Sequence, residues 1–376
     1  MNKWEKVLLQ DVAFFQEGPG LRNWQWRPSG MKVINVTNIL GDAAGTVDIS
    51  NTDKYVSMEE FATKYSHFAV EDGDIVVASS GNTYGKCGRI TKRCLPLMMN
   101  TSVIRFHVKD SGRLVSDYLY AFLRSKEFKN QIEQYVIGGA QPNFGPSHVK
   151  KMTIRIPPLA IQRRIADILS AYDDLIENNC RRIEILEETA RLKYRKMVVS
   201  ANCGGLIELG ALALFSRGKV ITQKTAIEGD VPVVAGGVAP AYYHNSANTL
   251  SPVITISGSG ANAGYTRMYF ERIWASDCSW IDASRTDHLY FVYCYLKENA
   301  DVVRNLQQGA AQPHVYPKDI NALPVPKLAD EYLVRFEKDV GMLFEQQAVL
   351  SLQNAKLAAA RDMLLPRLMS GKLEVA

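Results

Sequence analysis

The chain has 376 residues, of which 47% are hydrophobic and 22% charged, and its 44 Lys and Arg residues outnumber its 39 Asp and Glu residues. This length predicts two or more domains with buried cores, and no apolar run approaches the roughly 20 residues that a membrane-spanning helix needs. The first six residues lack the apolar core of a secretory signal, which predicts a cytoplasmic protein that does not contact a membrane. The six cysteines form no Cys-x-x-Cys pair, which argues against a zinc site and against a disulfide framework.

Two kinds of segment alternate along the chain. The short β-branched runs that predict strands are residues 33–36, 75–77, 103–106 and 253–256. By contrast, residues 159–200 contain neither Pro nor Gly and predict one long helix. Residues 329–365 predict a second long helix, which Pro366 and Gly371 terminate. We therefore expect an α/β (α+β) fold with two globular domains separated by two long helices.

The second half of the chain repeats the first. The matching segments, in chain order, are residues 74–81 and 253–260, 117–120 and 287–290, 139–143 and 310–314, and 154–158 and 323–326. A predicted long helix then follows in both halves, so five features recur in one order. Residues 371–375 also resemble residues 205–209, which open the second globule. The repeat is therefore circular, and it predicts two related globules joined by a pair of antiparallel helices.

Apolar residues in both predicted helices recur at intervals of three and four, the spacing of a coiled-coil seam. The residues expected to form the seam or bind partners are Ile161, Ile165, Ile168, Tyr172, Leu186, Phe336, Leu343, Leu350, Leu357 and Leu364. Leu175 and Tyr332 fall in the same stripes, and the polar residues Asn179, Gln347 and Asn354 are expected to fix the register. Neither helix can bury its stripe alone, which predicts an antiparallel coiled coil between the two.

This arrangement resembles the DNA-specificity subunit of type I restriction–modification systems, over essentially the whole chain. The more specific parts of the resemblance are the turns at residues 141–143 and 312–314, the helix start at residues 156–159 with Gln162 following, and the C-terminal segment 364–371. The second half departs from the pattern, because Pro326-Lys327 replaces the double proline and no Gln follows at the matching position. The start of the second helix is therefore less well defined than that of the first.

The resemblance implies a DNA-recognition protein without catalytic activity of its own. Family members have two target-recognition domains, each reading one half of a split, asymmetric target in double-stranded DNA, and their helices set the gap between the halves. The resemblance also implies two methylation subunits, which use S-adenosylmethionine, and restriction subunits, which use ATP and Mg. The corresponding segments here are a first recognition domain at residues 1–157, a spacer helix at 158–203, a second recognition domain at 204–326, and a second spacer helix with the C-terminal tail at 327–376.

Loops that combine cations, amides, aromatic rings and small residues are the candidates for DNA contact, because Arg suits guanine edges and phosphates while Asn and Gln suit adenine. The candidates are Arg22, Asn23, Trp24, Trp26, Arg27, Ser80, Asn82, Thr83, Tyr84, Lys86, Arg89, Gln141, Asn143, Tyr243, His244, Asn245, Ser259, Asn262, Tyr265, Arg267, Gln312 and His314. Each also has a structural alternative, as an aromatic anchor, a β-turn or a solvated strand edge. For the two Gln-Pro turns the structural role is favoured.

Two other functions remain as alternatives. A tandem-repeat α/β enzyme would use the glycine-rich segment 257–264, although its glycine spacing is one residue too long for a dinucleotide loop. A coiled-coil scaffold would have no DNA role. No methyltransferase tetrad, metal-ligand spacing or nuclease cluster is present, so no catalytic residue is predicted. Charge supports DNA contact only in part, since residues 1–157 carry 20 basic and 15 acidic side chains whereas residues 201–326 carry 9 and 10.

Overall fold

The computed structural model describes residues 4–49, 52–81, 84–135, 143–201, 204–309 and 313–375. The chain divides into two compact units: unit 1 comprises Met1–Cys180 with Leu352–Ala376, and unit 2 comprises Arg181–Ser351. Each unit therefore combines one predicted globule with part of both predicted helices. Within the described ranges, no helix is both long and apolar enough to cross a membrane.

The globular part of unit 1 consists of small sheets with short helices between the strands. Its elements are β1 (Glu5–Leu8), α1 (Leu9–Val12), β2 (Ala13–Glu17), β3 (Met31–Ile34), β4 (Tyr55–Val56), α2 (Met58–Glu60), β5 (Ile75–Ala78), β6 (Cys87–Arg89), β7 (Met98–Met99), β8 (Val103–Val108), α3 (Ser116–Leu123), α4 (Lys126–Glu133), α5 (Pro146–Val149) and β9 (Thr153–Ile156), and it leads into α6 (Leu159–Ser200). An antiparallel sheet has the order β2-β8-β5-β6, a second sheet has the order β4-β3-β7, and β1 pairs with β9.

The apolar run that predicted β5 is explained by burial of both faces of this strand. Ile75 and Val77 pack into the core that also contains α3, α4 and the start of α6, whereas Val76 and Ala78 pack into a second core on the opposite face. Successive side chains of a strand point to opposite faces, so a strand covered on both sides has no polar positions. The central strand β5 therefore joins the two cores, and it ends at the loop that begins with Ser79.

Unit 2 repeats this topology strand by strand. Its elements are β10 (Leu206–Glu208), α7 (Leu209–Leu212), β11 (Ser216–Arg217), β12 (Val231–Val234), β13 (Tyr242–His244), β14 (Val253–Ser257), β15 (Thr266–Tyr269), β16 (Trp274–Ala275), β17 (Cys278–Asp282), α8 (Leu289–Glu298), α9 (Ala300–Asn305), α10 (Pro317–Asn321), β18 (Pro324–Pro326) and α11 (Asp330–Met369). The sheet orders are β11-β17-β14-β15, β13-β12-β16 and β10-β18. Because the first and second halves share every strand neighbour, the repeat predicted from the sequence is confirmed.

The two long helices run antiparallel within each unit. In unit 1, Asn179 of α6 donates to Asn354 of α11 at 3.0 Å. Asp173, which precedes Asn179 by six residues, accepts from Arg361, which follows Asn354 by seven residues. The contacts therefore move forward along α11 as they move backward along α6. In unit 2, the rings of Tyr194 and Phe336 lie 6.3 Å apart. All ten predicted seam residues are buried or half-buried. The antiparallel coiled coil is confirmed, and the Asn179–Asn354 bond supports the register role predicted for both residues.

Three details of the helices differ from the predictions. Leu175 is 52% exposed and Tyr332 is 40% exposed, and their neighbours Ile176 and Leu333 occupy the seam instead. The helix α11 also continues through Pro366, because a proline near the C-terminal end removes only one backbone hydrogen bond. Gly371 ends the helix instead: its φ is +67°, and the backbone N–H groups of the two residues after it donate to a carbonyl of the last turn.

One side chain of each long helix caps a short helix of the adjacent globule. In unit 1, Oε1 of the fully buried Gln162 accepts from the Val115 N–H at 2.9 Å, at the start of α3. In unit 2, the Glu337 carboxylate accepts from the N–H groups of Tyr290 and Phe291 at 3.2 and 2.8 Å, at the start of α8. The sequence showed no counterpart of Gln162, because Glu337 reaches α8 from a different position along its helix.

Unit 2 is expected to lose stability as the pH rises from about 4.5 to about 7. Burial raises the pKa of Glu337 from 4.5 to about 7, against the opposing effect of its two backbone hydrogen bonds. The folded state therefore binds more protons than the unfolded state in this window, and deprotonation at higher pH favours unfolding. The wild-type unfolding temperature should be lower at pH 7.5 than at pH 5, and Glu337→Gln should make this difference smaller by several degrees, as measured by scanning calorimetry. Glu345→Gln, an exposed control on the same helix, should keep the wild-type difference. Equal pH profiles for the two variants would contradict the assignment.

Candidate nucleic-acid interface

In both units the loop after the central strand lies beside the segment that carries the Gln-Pro turn. In unit 1, Ser80 forms an isolated antiparallel bridge with Asn143, and the Phe144 N–H donates to the Ser79 carbonyl at 3.0 Å. In unit 2, Ser259 forms the same bridge with His314, and the Gly260 N–H donates to the Pro313 carbonyl at 3.0 Å. Two motifs that are more than 50 residues apart in the sequence therefore form one surface, and this surface occurs twice.

A third segment completes this surface at the end of β2 in unit 1 and of β11 in unit 2. The Gly18 N–H donates to the Val103 carbonyl at 3.1 Å, and the Gly218 N–H donates to the Cys278 carbonyl at 2.8 Å. The residue before each glycine differs in charge. Glu17 accepts from the Ser102 N–H at 3.1 Å, whereas Arg217 lines a small cleft with His314. The two surfaces therefore share a backbone framework and carry opposite charges at one matching position.

Glu17 and Arg217 were not among the sequence candidates. Both immediately precede a glycine in matching strands, and aligning the segments 16–18 and 216–218 would have identified them. A guanidinium can donate to guanine edges or phosphates, and a carboxylate can accept from cytosine. A charge difference at one framework position is therefore a simple means of preferring different bases in the two units.

The glycine-rich loop of unit 2 presents polar side chains on an edge strand. Tyr265 is 42% exposed, and Arg267 follows on the same outward face of β15, while Thr266 and Met268 between and after them are buried. The Arg267 guanidinium lies 4.8 Å from the Tyr269 ring centroid and donates to the Val238 carbonyl at 2.9 Å. Asn262 is also exposed. Ser259, in contrast, donates its hydroxyl to the Asp277 carboxylate. This hydrogen bond lies within the domain and stabilises the loop.

This loop does not have the geometry of a nucleotide-binding loop. A phosphate-binding glycine loop needs a helix behind it whose N-terminal amides face the phosphate. Here β14 leads through a single 3-10 turn, Gly260–Asn262, into the antiparallel strand β15. The alternative of a tandem-repeat enzyme with its site at residues 257–264 is therefore not supported by the fold.

The corresponding loop of unit 1 divides into exposed and structural residues. Lys86 is exposed, whereas Tyr84 packs against the core. Asn82, Thr83, Gln141 and Gln312 lie outside the described residues. Arg89 pairs with Asp117 at 2.6 Å and lies 4.5 Å from the Tyr120 ring centroid. Both the charge and the planar face of Arg89 are engaged within the domain, which favours its structural alternative, and a DNA contact by Arg89 stays a prediction.

The loop at residues 22–27 is held by one buried side chain. Gln25 is 5% exposed and donates to Glu60 at 2.7 Å and to the Tyr65 hydroxyl at 2.8 Å. Trp26 packs against an adjacent core and so anchors the loop, as its structural alternative predicts, and a DNA contact by Trp26 stays a prediction. Trp24 is 71% exposed. The other exposed candidates in this loop are Arg22, Asn23 and Arg27.

In unit 2, the segment predicted as a base-contacting loop at residues 242–245 is mostly the strand β13. His244 is 6% exposed, its Nδ1 accepts from the Ile227 N–H at 3.0 Å, and its ring packs edge-on against Trp274 at 4.9 Å. The DNA contact predicted for His244 is therefore corrected to a core position. Alternation along the strand turns Tyr243 outward, where it is 56% exposed, and Asn245 after the strand is exposed as well.

Comparisons with known proteins identify the family of this chain. Residues 1–188, half of the chain, match the family model of the type I restriction modification DNA specificity domain. The chain belongs to this family. It is 26% identical over 191 residues to the MjaVIII specificity subunit of Methanocaldococcus jannaschii, covering 50% of this chain and 44% of that relative. It is 23% identical over 321 residues to the MjaIX specificity subunit of the same organism, covering 74% of each.

The chain thus spans less than half of the first of these relatives and about three quarters of the second. Among solved structures, it is similar to the S subunit of the type I restriction-modification system from M. genitalium, with a TM-score of 0.49 and 20% identity, covering 97% of this chain and 96% of that one.

Proposed function

We propose that this specificity-family protein is the DNA-recognition subunit of a type I restriction–modification enzyme. Each unit reads one half of a two-part target in double-stranded DNA, and the chain has no catalytic activity of its own. The observation that carries the proposal is the duplicated surface: three equivalent segments converge in both units on one backbone framework, with different side chains at matching positions. Two such surfaces on one chain are suited to an asymmetric target, because each can prefer its own bases.

The long helices offer surfaces for partners besides their seam. In unit 2, Ile185, Leu192 and Val199 follow one another at heptad spacing along α6, and each is more than half exposed. Met342 and Val349 repeat the pattern on α11, at 71% and 54% exposure. Apolar residues at this spacing outside a seam are suited to packing against further helices.

The partners that we propose for these surfaces are two methylation subunits, with restriction subunits joining the assembly. In this proposal S-adenosylmethionine binds to the methylation subunits, and ATP and Mg bind to the restriction subunits. The protein acts in the cytoplasm, where the DNA is. Its helices set the gap between the two half-sites.

Exchanging residues 1–157 for the matching domain of a relative with a different target should change only one half of the methylated sequence. The reason is that unit 1 contains its own strand framework and its own loops. The exchanged chain would be assembled with the methylation subunit and S-adenosylmethionine, and methylated adenines would be mapped by sequencing. The reciprocal exchange of residues 204–326 is the control and should change the other half only.

Two results would contradict the proposed function. A change in both half-sites from a single exchange would show that the units do not recognise DNA independently. Methyl transfer by the purified chain without a methylation subunit would show that the chain is itself an enzyme.

A further inference from the structure

Unit 1 contains a groove of about 600 Å³ that is separate from the loops described above. It lies between α4, the β1–β9 strand pair and the last turn of α11, and four cationic side chains line it: Lys6, Lys126, Lys151 and Arg155. We call it the basic groove. Glu127 is a carboxylate in the same lining, so the cations outnumber it four to one.

The four cations are not neutralised within the part of the chain that the structure describes. None of them forms an ion pair with another described residue. Lys6 and Arg155 are moreover direct partners across the antiparallel β1–β9 pair. Like charges opposite each other destabilise a strand pair, and a bound anion between them would relieve this repulsion.

Unit 2 lacks this feature. The positions that match Lys6, Lys151 and Arg155 are Leu206, Ala322 and Pro326, none of which is charged. Lys126 is the first residue of α4, and the matching helix α9 begins instead with the uncharged Ala300. The groove therefore accounts for part of the charge difference between residues 1–157 and residues 201–326, which the sequence had left without an explanation.

The groove leads toward the duplicated surface of unit 1. It follows α4 to Tyr135, whose ring stacks on His148 at 5.3 Å. The His148 Nδ1 accepts from the Gly145 N–H at 3.1 Å, two residues after Asn143. Asn130 and Gln134 add amide donors along the same helix face. Lys, Arg, amide and Tyr side chains are the groups that contact DNA phosphates and sugars, where they contribute affinity without sequence information.

We propose that the basic groove binds the phosphate backbone of the DNA that flanks the half-site of unit 1. This inference rests on the proposed function. It makes the two units unequal: both recognise sequence, and unit 1 in addition supplies a salt-dependent affinity that does not depend on sequence.

The test compares two double variants that remove the same charge from the same two segments. Lys126→Gln with Lys151→Gln removes two of the four cations of the groove. Lys129→Gln with Lys150→Gln is the control, because these two lysines are exposed on α4 and beside Lys151 but do not line the groove. Each chain is assembled with the methylation subunit, and its affinity for a labelled target duplex is measured by fluorescence anisotropy between about 50 and 200 mM salt. The groove variant should reduce the slope of log K against log salt by about 1.8, or about 0.9 per lost phosphate contact. The control should reduce the slope by less than half as much, and the preference for target over random DNA should stay unchanged in both.

Three results would overturn the inference. A wild-type slope in the groove variant, or equal losses in the two variants, would show that the groove makes no specific phosphate contact. Weaker assembly with the methylation subunit at an unchanged slope would assign the groove to an acidic segment of that protein. Failure of the proposed function can be distinguished from failure of this inference. In that case the wild-type complex would show no preference for a two-part target, whereas the salt dependence of binding to random DNA would still show whether the groove contacts phosphates.

Discussion

Asp173→Asn should destabilise unit 1 by about 3–5 kcal/mol, the usual cost of removing one partner from a buried ion pair. The Asp173 carboxylate accepts from Arg361 at 2.5 Å and from Arg124 at 2.8 Å, and the Arg361 side chain is only 5% exposed. Without the negative charge, the guanidinium groups of Arg124 and Arg361 lose the carboxylate that they share, while Arg361 keeps its ion pair with the exposed side chain of Asp362. The effect is large because these residues connect α6 and α11 to the end of α3.

The measurement is the unfolding temperature of unit 1, which should fall by roughly 6–20 °C at 2–4 °C per kcal/mol. Asp174→Asn is the matched control, since Asp174 is the next residue and is exposed. It should change the unfolding temperature by no more than about a degree, as expected for an isolated surface charge. If the two variants unfold at the same temperature, the cluster around Asp173 does not stabilise unit 1.

Gly18→Ala should damage both the fold and DNA binding at the unit 1 surface. A Cβ at this position would lie closer than 3.0 Å to backbone atoms of Met99 and Asn100, and backbone cannot give way as a flexible side chain can. Overpacking of this kind costs about 1–3 kcal/mol or more. It would also displace Glu17 from Ser102, so we expect at least a tenfold loss of affinity for the half-site of unit 1.

Gly20→Ala is the control for this substitution, because nothing lies within 4 Å of the added Cβ. It should leave stability and affinity close to wild type. Gly218→Ala should reproduce the Gly18→Ala effect in unit 2, where the added Cβ would meet backbone atoms of Ala275 and Ser276. Thermal unfolding and anisotropy titrations against duplexes altered in one half-site measure both effects. Equal behaviour of Gly18→Ala and Gly20→Ala would contradict the close approach described here.

The sequence by itself determined the alternation of globules with long helices, the duplication and the bounds of the first long helix. The bounds predicted for that helix, residues 159–200, are those of α6. This succeeds because helix periodicity and the absence of Pro and Gly are local properties, and because a repeat is visible in the order of its motifs. The polar register residues Asn179 and Asn354 were identifiable for the same reason, as breaks in a regular apolar stripe.

Only the tertiary structure decided which member of each candidate loop faces outward. Trp24 and Trp26 are the same residue type two positions apart in one loop, yet only Trp26 packs against a hydrophobic core. His244 is buried because the parity of β13 turns it inward. The convergence of Ser80 with Asn143, and of Ser259 with His314, joins segments more than 50 residues apart. Such outcomes depend on strand pairing and on the packing of distant segments, which neither composition nor periodicity specifies.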